Sequence, residues 1–163
     1  AGMSTGAVFA NFEHKADLLL AIVQEEFEEY GTLLEQAAAE EGAVLDRIVR
    51  VCTADFIFFN ERLHLLEALA VLETDASNMK NRRARELTGH RRECLWRAIE
   101  TMFKESRCGN ALEAKVIGEC IMSIHFDRCR YHAIMNRKTE SYRHSLKELL
   151  SHLLLASATA IAA

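Results

Sequence analysis

The sequence predicts an all-α globular protein, on three observations. Proline is absent from the 163 residues, and proline is the residue that most strongly interrupts helices. Apolar residues recur at three- and four-residue spacing over several long stretches, which is the helical period. Half of the residues are hydrophobic and 27% are charged, a composition typical of globular domains. We therefore expect helices that share one core, since the length does not require two.

The first element is a tight turn followed by a short helix within residues 1–12. Gly2 can adopt a positive φ in the turn, and the Ser4 hydroxyl can cap the first helical turn. Ala7 and Val8 face inward, while small or polar residues face outward. A glycine-bearing turn before such a helix is typical of the second half of a helix-turn-helix.

The amino-acid sequence of this stretch resembles the recognition-helix end of the tetracycline-repressor (TetR) family of transcriptional regulators. That family has an Ala-Gly-Val-Ser turn, then Gly, a small residue and an aliphatic, then Tyr-x-His/Tyr-Phe and x-x-Lys-x-x-Leu-Leu. The residues that match are Ala1, Gly2, Ser4, Gly6, Val8, Phe9, Asn11, Phe12, Lys15, Leu18 and Leu19. The match covers about the first twenty residues, and the remainder resembles the family only in its helix plan. Phe9 stands where the family usually has a tyrosine whose hydroxyl holds a phosphate.

The resemblance implies a domain division and a set of DNA contacts. Residues 1–12 would be the C-terminal part of a helix-turn-helix domain, and 13–163 an effector-binding and dimerisation domain. The family has two further helices before this point, so we expect a processed, truncated or incompletely represented protein that lacks them. The residues implied to bind DNA are Ser4, Thr5, Gly6, Phe9, Asn11 and Lys15. An alternative for Lys15 is an ordinary surface lysine.

Charge is distributed unevenly along the chain. Residues 1–42 contain one Lys or Arg and nine Asp or Glu, a net charge of 1 − 9 = −8. Because affinity for nucleic acid depends largely on Lys and Arg contacts to phosphates, we expect operator binding from the full-length protein only.

A long helix is predicted from residue 13 to about residue 40. Its inward positions, at helical spacing, are Leu18, Leu19, Ile22, Val23, Phe27, Tyr30 and Leu34. Its glutamates face mostly outward. The resemblance implies that this helix connects the DNA-reading part to the sensor and that its tilt carries the signal.

Gly42 ends that pattern, and a second helix is predicted from about Val44 to Asn60. It is apolar nearly all round, which places it in the middle of the bundle. Asp55 is the exception within it. It is either a polar group facing a ligand cavity or a carboxylate at the bundle edge paired with an arginine.

Four further helices are predicted, at about residues 63–72, 77–106, 112–136 and 139–160. The first half of the 77–106 helix is basic, through Lys80, Arg82, Arg83, Arg85, Arg91 and Arg92. We interpret these residues as a solvated face that pairs with nearby glutamates, because the aromatic residues typical of a nucleic-acid patch are missing. The last helix carries a broad apolar stripe. The resemblance implies that it forms a homodimer interface with the helix before it.

The apolar interior of such a bundle is the expected effector pocket. Its candidate wall residues are Phe56, Phe59, His64, Trp96, Met102, Phe103, Ile121 and His125. Each of them is also compatible with a plain core position. A second pattern is His125, Cys129 and His132, which lie at i, i+4 and i+7 on one helix face and include good zinc or copper ligands. Alternatively, they are the ordinary polar face of an amphipathic helix.

These observations favour a ligand-responsive DNA-binding transcriptional regulator, a homodimeric repressor released from its operator by a small apolar or aromatic effector. The alternatives are a metal- or thiol-based sensor on the same bundle, and a helical dimerisation module without effector. We expect no enzymatic activity and no cofactor, because no catalytic constellation is recognisable. No apolar run is long enough for a membrane span, and five cysteines without paired spacing favour the cytoplasm.

Overall fold

The computed structural model describes residues 15–64, 67, 70, 78–106, 111–135 and 138–161. This part of the chain is all-helical, which confirms the predicted fold class. Its five long helices are α1 (Lys15–Ala39), α2 (Val44–Asn60), α3 (Asn78–Ser106), α4 (Ala111–Ile134) and α5 (Thr139–Ile161). Within these ranges no helix has the length and apolar content that crossing a membrane requires.

The predicted boundaries agree with the observed helices to within two residues wherever the chain is described. The predicted helix-turn-helix remnant at 1–12 lies outside the described residues. Most of the predicted short helix at 63–72 does so as well.

Helix α2 is the centre of the bundle, as its apolar composition predicts. It packs against α1, α3, α4 and α5, and eight of its 17 residues are buried. Helix α1 packs on α2 and α3, while α4 packs on α3 and α5. Every other helix therefore shares its core with α2.

The inward stripe of α1 consists of Leu20, Val23, Phe27, Tyr30 and Leu34, all buried. The prediction that Ile22 also faces the core is wrong, since its side chain is 41% exposed. Successive helical residues are rotated by about 100°, so a residue next to Val23 is turned away from the buried stripe.

The turn between α1 and α2 depends on Gly42 and on an arginine. Gly42 has a φ of 145°, which L-residues rarely adopt. Arg47 then donates from Nε and Nη2 to the carbonyl oxygen of Ala38, at 3.2 and 2.7 Å. It thereby satisfies a carbonyl that the end of α1 leaves without a helical partner. The predicted break at Gly42 is confirmed.

The basic half of α3 is only partly the solvated face that we expect from the sequence. Arg82 pairs with Glu86 at the surface, and Arg83 bonds Gln24 of α1. The prediction of a solvated position is wrong for Arg91, because its side chain is only 14% exposed and lies inside the bundle. It projects toward α2, where a carboxylate compensates its charge.

Helices α3 and α4 approach closely where Trp96 lies over Gly118. A Cβ at position 118 would lie 2.8 Å from Cη2 of Trp96 and nearer still to Cζ3. Real side chains essentially never tolerate such a contact, so the indole or the helix would have to move.

We predict that Gly118→Ala lowers the free energy of unfolding by about 1 kcal/mol or more, because overpacking outweighs the better helix propensity of alanine. The matched control is Gly89→Ala on α3, where a Cβ meets no atom within 4 Å. This change should stabilise by up to about 1 kcal/mol. Urea unfolding measures both. Equal stability of the two variants would contradict the close contact.

Candidate functional site

Asp55 of α2 is a fully buried carboxylate that accepts four hydrogen bonds. Its Oδ1 accepts from the Tyr30 hydroxyl at 2.7 Å and from Nε of Arg91 at 2.9 Å. Its Oδ2 accepts from Nη2 of Arg91 at 2.5 Å and from Nε2 of His125 at 2.8 Å. The arginine contact is therefore bidentate, the strongest geometry for this pair.

The hydrogen bonds continue from His125 to α5. Nδ1 of His125 lies 2.5 Å from the Tyr142 hydroxyl, which lies 3.2 Å from the carbonyl oxygen of Cys52. With a neutral imidazole the hydroxyl donates to Nδ1, whereas with a charged imidazole Nδ1 donates and the hydroxyl turns to Cys52. We call this group the Asp55 cluster. Its members, one from each helix in chain order, are Tyr30, Asp55, Arg91, His125 and Tyr142.

The charges within the cluster favour an ionised Asp55. Burial by itself raises the pKa of this carboxyl, but the electrostatic interactions with His125 and Arg91 and the hydrogen bonds from both outweigh burial and hold the pKa below its ordinary value. Burial and the nearby carboxylate raise the pKa of Tyr30, and burial raises the pKa of Tyr142. Both phenols are therefore neutral donors.

Aromatic rings surround the charged groups. The guanidinium carbon of Arg91 lies 3.9 Å from the centre of the Phe59 ring and 4.9 Å from that of Phe126. The Phe56 ring stacks on Tyr142, with 4.2 Å between ring centres and 9° between planes. Cation–π contacts stabilise a guanidinium that has lost part of its water. They also hold the plane of Arg91 in the orientation that Asp55 requires.

A cleft of about 450 Å³ opens beside the cluster, between α2, α3 and α4. We call it the Phe–Arg cleft. Its lining residues are Phe56, Phe59, Asn60, Leu63, Thr88, Arg91, Arg92, Phe126, Cys129 and Arg130. Arg91 belongs to both the cleft and the cluster. A molecule in the cleft therefore lies next to a group that is bonded to Asp55.

A larger cleft of about 630 Å³ lies between α3 and α4 beside Trp96. Its charged lining residues are Arg92, Glu93, Glu100, Lys104, Lys115 and Glu119. None of its lining residues belongs to the Asp55 cluster. Because the two signs of charge are balanced there and no lining residue bonds Asp55, we consider the Phe–Arg cleft the candidate site.

The eight residues expected to line an effector pocket are separated in the structure. Phe56 and Phe59 line the Phe–Arg cleft, and His125 lies beneath it in the cluster. Trp96 lines the other cleft, and His64 is exposed. Three lie within the core, and these are Met102, Phe103 and Ile121.

Sequence reasoning missed the polar half of the cleft. Arg92 and Arg130 were not candidates for it, and Arg91 was assigned to a solvated face. A signal existed in the lone Asp55 on an apolar helix, since a buried carboxylate needs a cationic partner. The sequence alone could not choose among the arginines, because Arg91 lies 36 residues away.

The structure brings together a different group of possible metal ligands from the one that the sequence spacing suggests. The ligand atoms of Asp55, His125 and Cys129 lie within 4.8 Å of one another. His132, the third residue of the spacing pattern, instead has Nε2 3.3 Å from the Ser145 hydroxyl. Burial raises the pKa of Cys129 to about 12, and Arg91 already pairs with Asp55. A bound cation would have to displace that guanidinium, so the group fits a metal poorly.

The residues implied to bind DNA are not described, apart from the backbone of Lys15 at the start of α1. Ser4, Thr5, Gly6, Phe9, Asn11 and the Lys15 side chain lie outside the described part. Their DNA contacts stay predictions.

Comparison with known proteins adds no assignment. No protein-family model matches the chain, and no curated protein or solved structure is significantly similar to it. The resemblance of the first twenty residues to the TetR family stays a prediction.

We predict that Asp55→Asn lowers the free energy of unfolding by about 3–5 kcal/mol, because Arg91 is left with an uncompensated charge inside the bundle. The matched control is Asp46→Asn, which removes a surface pair with Lys147 between α2 and α5, both side chains about half exposed. We expect it to cost less than about 1 kcal/mol. Chemical denaturation at pH 7 measures both.

The pH dependence of this difference separates lost charge from altered packing. The pKa of Asp55 is lower in the folded chain than in the unfolded chain. Its ionised form therefore stabilises the fold above the unfolded value of about 3.9, and this contribution is lost as the pH falls below it. The gap between the wild type and Asp55→Asn should narrow below about pH 4. A constant gap would indicate a packing defect instead.

Proposed function

We propose that this chain is the effector-binding and dimerisation part of a TetR-like transcriptional regulator, a cytoplasmic repressor that a small ligand releases from its operator. The observation that supports this function best is the carboxylate shared by Arg91 and Tyr30. Arg91 lines the cleft, and Tyr30 lies on α1, the helix that follows the residues resembling a DNA-recognition helix. One side chain thus connects a candidate effector site to the candidate reader.

A physical route from ligand to DNA follows from this arrangement. Arg91 and Tyr30 both donate to Oδ1 of Asp55, at 2.9 and 2.7 Å. A ligand that draws Arg91 toward the cleft would change how the carboxylate holds Tyr30, and therefore which tilt of α1 is favoured. Such coupling requires that the ligand bind the two tilts with different affinity. In a dimer, the tilt would set the separation of the two recognition helices.

Apolar side chains on the last two helices support a homodimer. Among the residues whose side chains are described, five of the nine exposed large hydrophobic ones lie on α4, in the turn after it, or on α5, and these are Val116, Tyr131, Met135, Leu149 and Leu155. Exposed apolar side chains grouped on two neighbouring helices are typical of an interface. A second copy packed there by two-fold symmetry would form a four-helix interface.

A metal- or thiol-based sensor is the second candidate. The approach of Asp55, His125 and Cys129 favours it, whereas the pairing of Asp55 with Arg91 opposes it. Zinc binding that disappears in Cys129→Ser would support it. A dimerisation module without effector is the third. We also propose no enzymatic role, because the cluster has neither an activated nucleophile nor an exposed acid–base pair.

The test of the proposed function uses the chain together with all residues that its gene encodes before Ala1. We expect this protein to be dimeric and to select DNA fragments from a random pool. Lys15→Ala should weaken binding to the selected site and reduce the magnitude of the slope of log K against log salt by about 1, because one phosphate contact is lost. Fluorescence anisotropy at several salt concentrations measures both.

The control is Lys104→Ala, which removes an exposed lysine of α3 that pairs with Glu100 and should leave the slope unchanged. A monomeric protein that selects no DNA would contradict the proposed function. An unchanged slope in Lys15→Ala would remove only Lys15 from the contact surface.

A further inference from the structure

We infer that the Phe–Arg cleft binds a small organic anion that consists of a carboxylate on an aromatic body. This inference deepens the proposed function, because it gives the effector a charge as well as an apolar surface. It is carried by the side chains that line the cleft.

The charge of the cleft has one sign. Three of its lining residues are arginines, and none of the described lining residues is acidic. Arg91 is compensated by Asp55. Arg92 and Arg130 are exposed at the rim and form no ion pair with any described residue, and Arg92 also lines the larger cleft. The described lining residues therefore carry an excess of about two positive charges, which attracts an anion and repels a cation.

The arginines also have hydrogen-bonding capacity to spare. Arg91 donates from Nε and Nη2 to Asp55, and Cys129 is a further side-chain partner. A guanidinium offers five N–H donors in a planar fork that fits a carboxylate, so these bonds do not use all of its donors. Because the rings of Phe59 and Phe126 lie against the guanidinium of Arg91, this side chain loses little freedom when a ligand binds.

The remaining wall is mainly apolar, with Asn60 and Thr88 as its polar side chains. Phe56, Phe59 and Phe126 contribute rings to the cleft, whose volume of about 450 Å³ lies within the usual range for small-molecule sites. A free inorganic anion would leave these rings uncovered, while a neutral aromatic would leave two rim guanidinium groups unused. A ligand with both features satisfies both surfaces. The larger cleft beside Trp96 has balanced charge, so it would not select an anionic aromatic ligand.

The experiment is isothermal titration calorimetry of the full 163-residue chain with four probes, which are 2-naphthoate, 2-naphthamide, 2-naphthylmethylammonium and inorganic phosphate. The first three share one aromatic body and differ in charge. We expect 2-naphthoate to bind at least tenfold more tightly than 2-naphthamide, since hydrogen bonds to charged groups are the stronger ones. The ammonium should not bind measurably, and phosphate should bind more weakly than naphthoate.

Substitutions of the exposed arginines that line the cleft test whether the ligand binds there. Arg92→Gln and Arg130→Gln should each weaken naphthoate binding about three- to tenfold and leave naphthamide unchanged. The matched control is Arg85→Gln, an exposed arginine of α3 outside the cleft, which should leave both affinities unchanged. All three side chains are exposed, so the fold should not depend on them.

Equal affinity for naphthoate and naphthamide, or no binding of either, would overturn the inference. So would naphthoate binding that is the same in Arg92→Gln and Arg130→Gln as in the wild type. The proposed function can fail independently of this inference. If naphthoate binds as expected but does not change DNA binding by the protein with its upstream residues, the inference stands and the function does not. If naphthamide releases DNA as well as naphthoate does, the function stands and the anionic effector does not.

Discussion

The structure depends on one carboxylate that water does not reach. An ionised Asp55 in the middle of the bundle would be costly by several kcal/mol if it were left alone. It is retained because α1, α3 and α4 each deliver a donor to it, and α5 supplies the partner of one of those donors. Apolar packing drives the five helices together but is non-directional. The hydrogen bonds to the two oxygens of Asp55, in contrast, have a preferred geometry.

The same constraint gives the candidate site its character. Arg91 pairs with Asp55 and also lines the Phe–Arg cleft. Its guanidinium lies against the rings of Phe59 and Phe126, which leaves the cleft both aromatic and basic. The structural role of Arg91 and its proposed binding role therefore fall on one side chain. A ligand that contacts Arg91 acts on the group that holds α1, α2 and α4 in register.

Helices and core follow from local pattern, and so they could be read from the sequence. The inward stripe of α1 and the central place of α2 need only the helical period and the apolar content. Asp55 shows where that reasoning ends. Its two interpretations were a polar group at a cavity and a carboxylate paired at the bundle edge. The structure combines parts of both, an arginine pair in the centre that adjoins a cleft.

The rest could not be read because it depends on tertiary distances. The donors to Asp55 lie 25, 36 and 70 residues away in sequence, and no periodicity relates them. The predicted ligand group of His125, Cys129 and His132 illustrates the opposite error, in which sequence spacing alone is taken to indicate spatial proximity. A common helix face does not bring the residues together, because i and i+7 are about 10 Å apart along the axis. His132 reaches Ser145 of α5 instead.

The most direct test of the shared carboxylate is a double-mutant cycle between Tyr30→Phe and His125→Leu. The first residue bonds Oδ1 and the second bonds Oδ2, so Asp55 is the group that connects them. Each unfolding free energy is measured by urea denaturation at pH 7. We expect a coupling free energy of about 0.5 kcal/mol or more. Losses that add to within about 0.3 kcal/mol would contradict the shared role of Asp55.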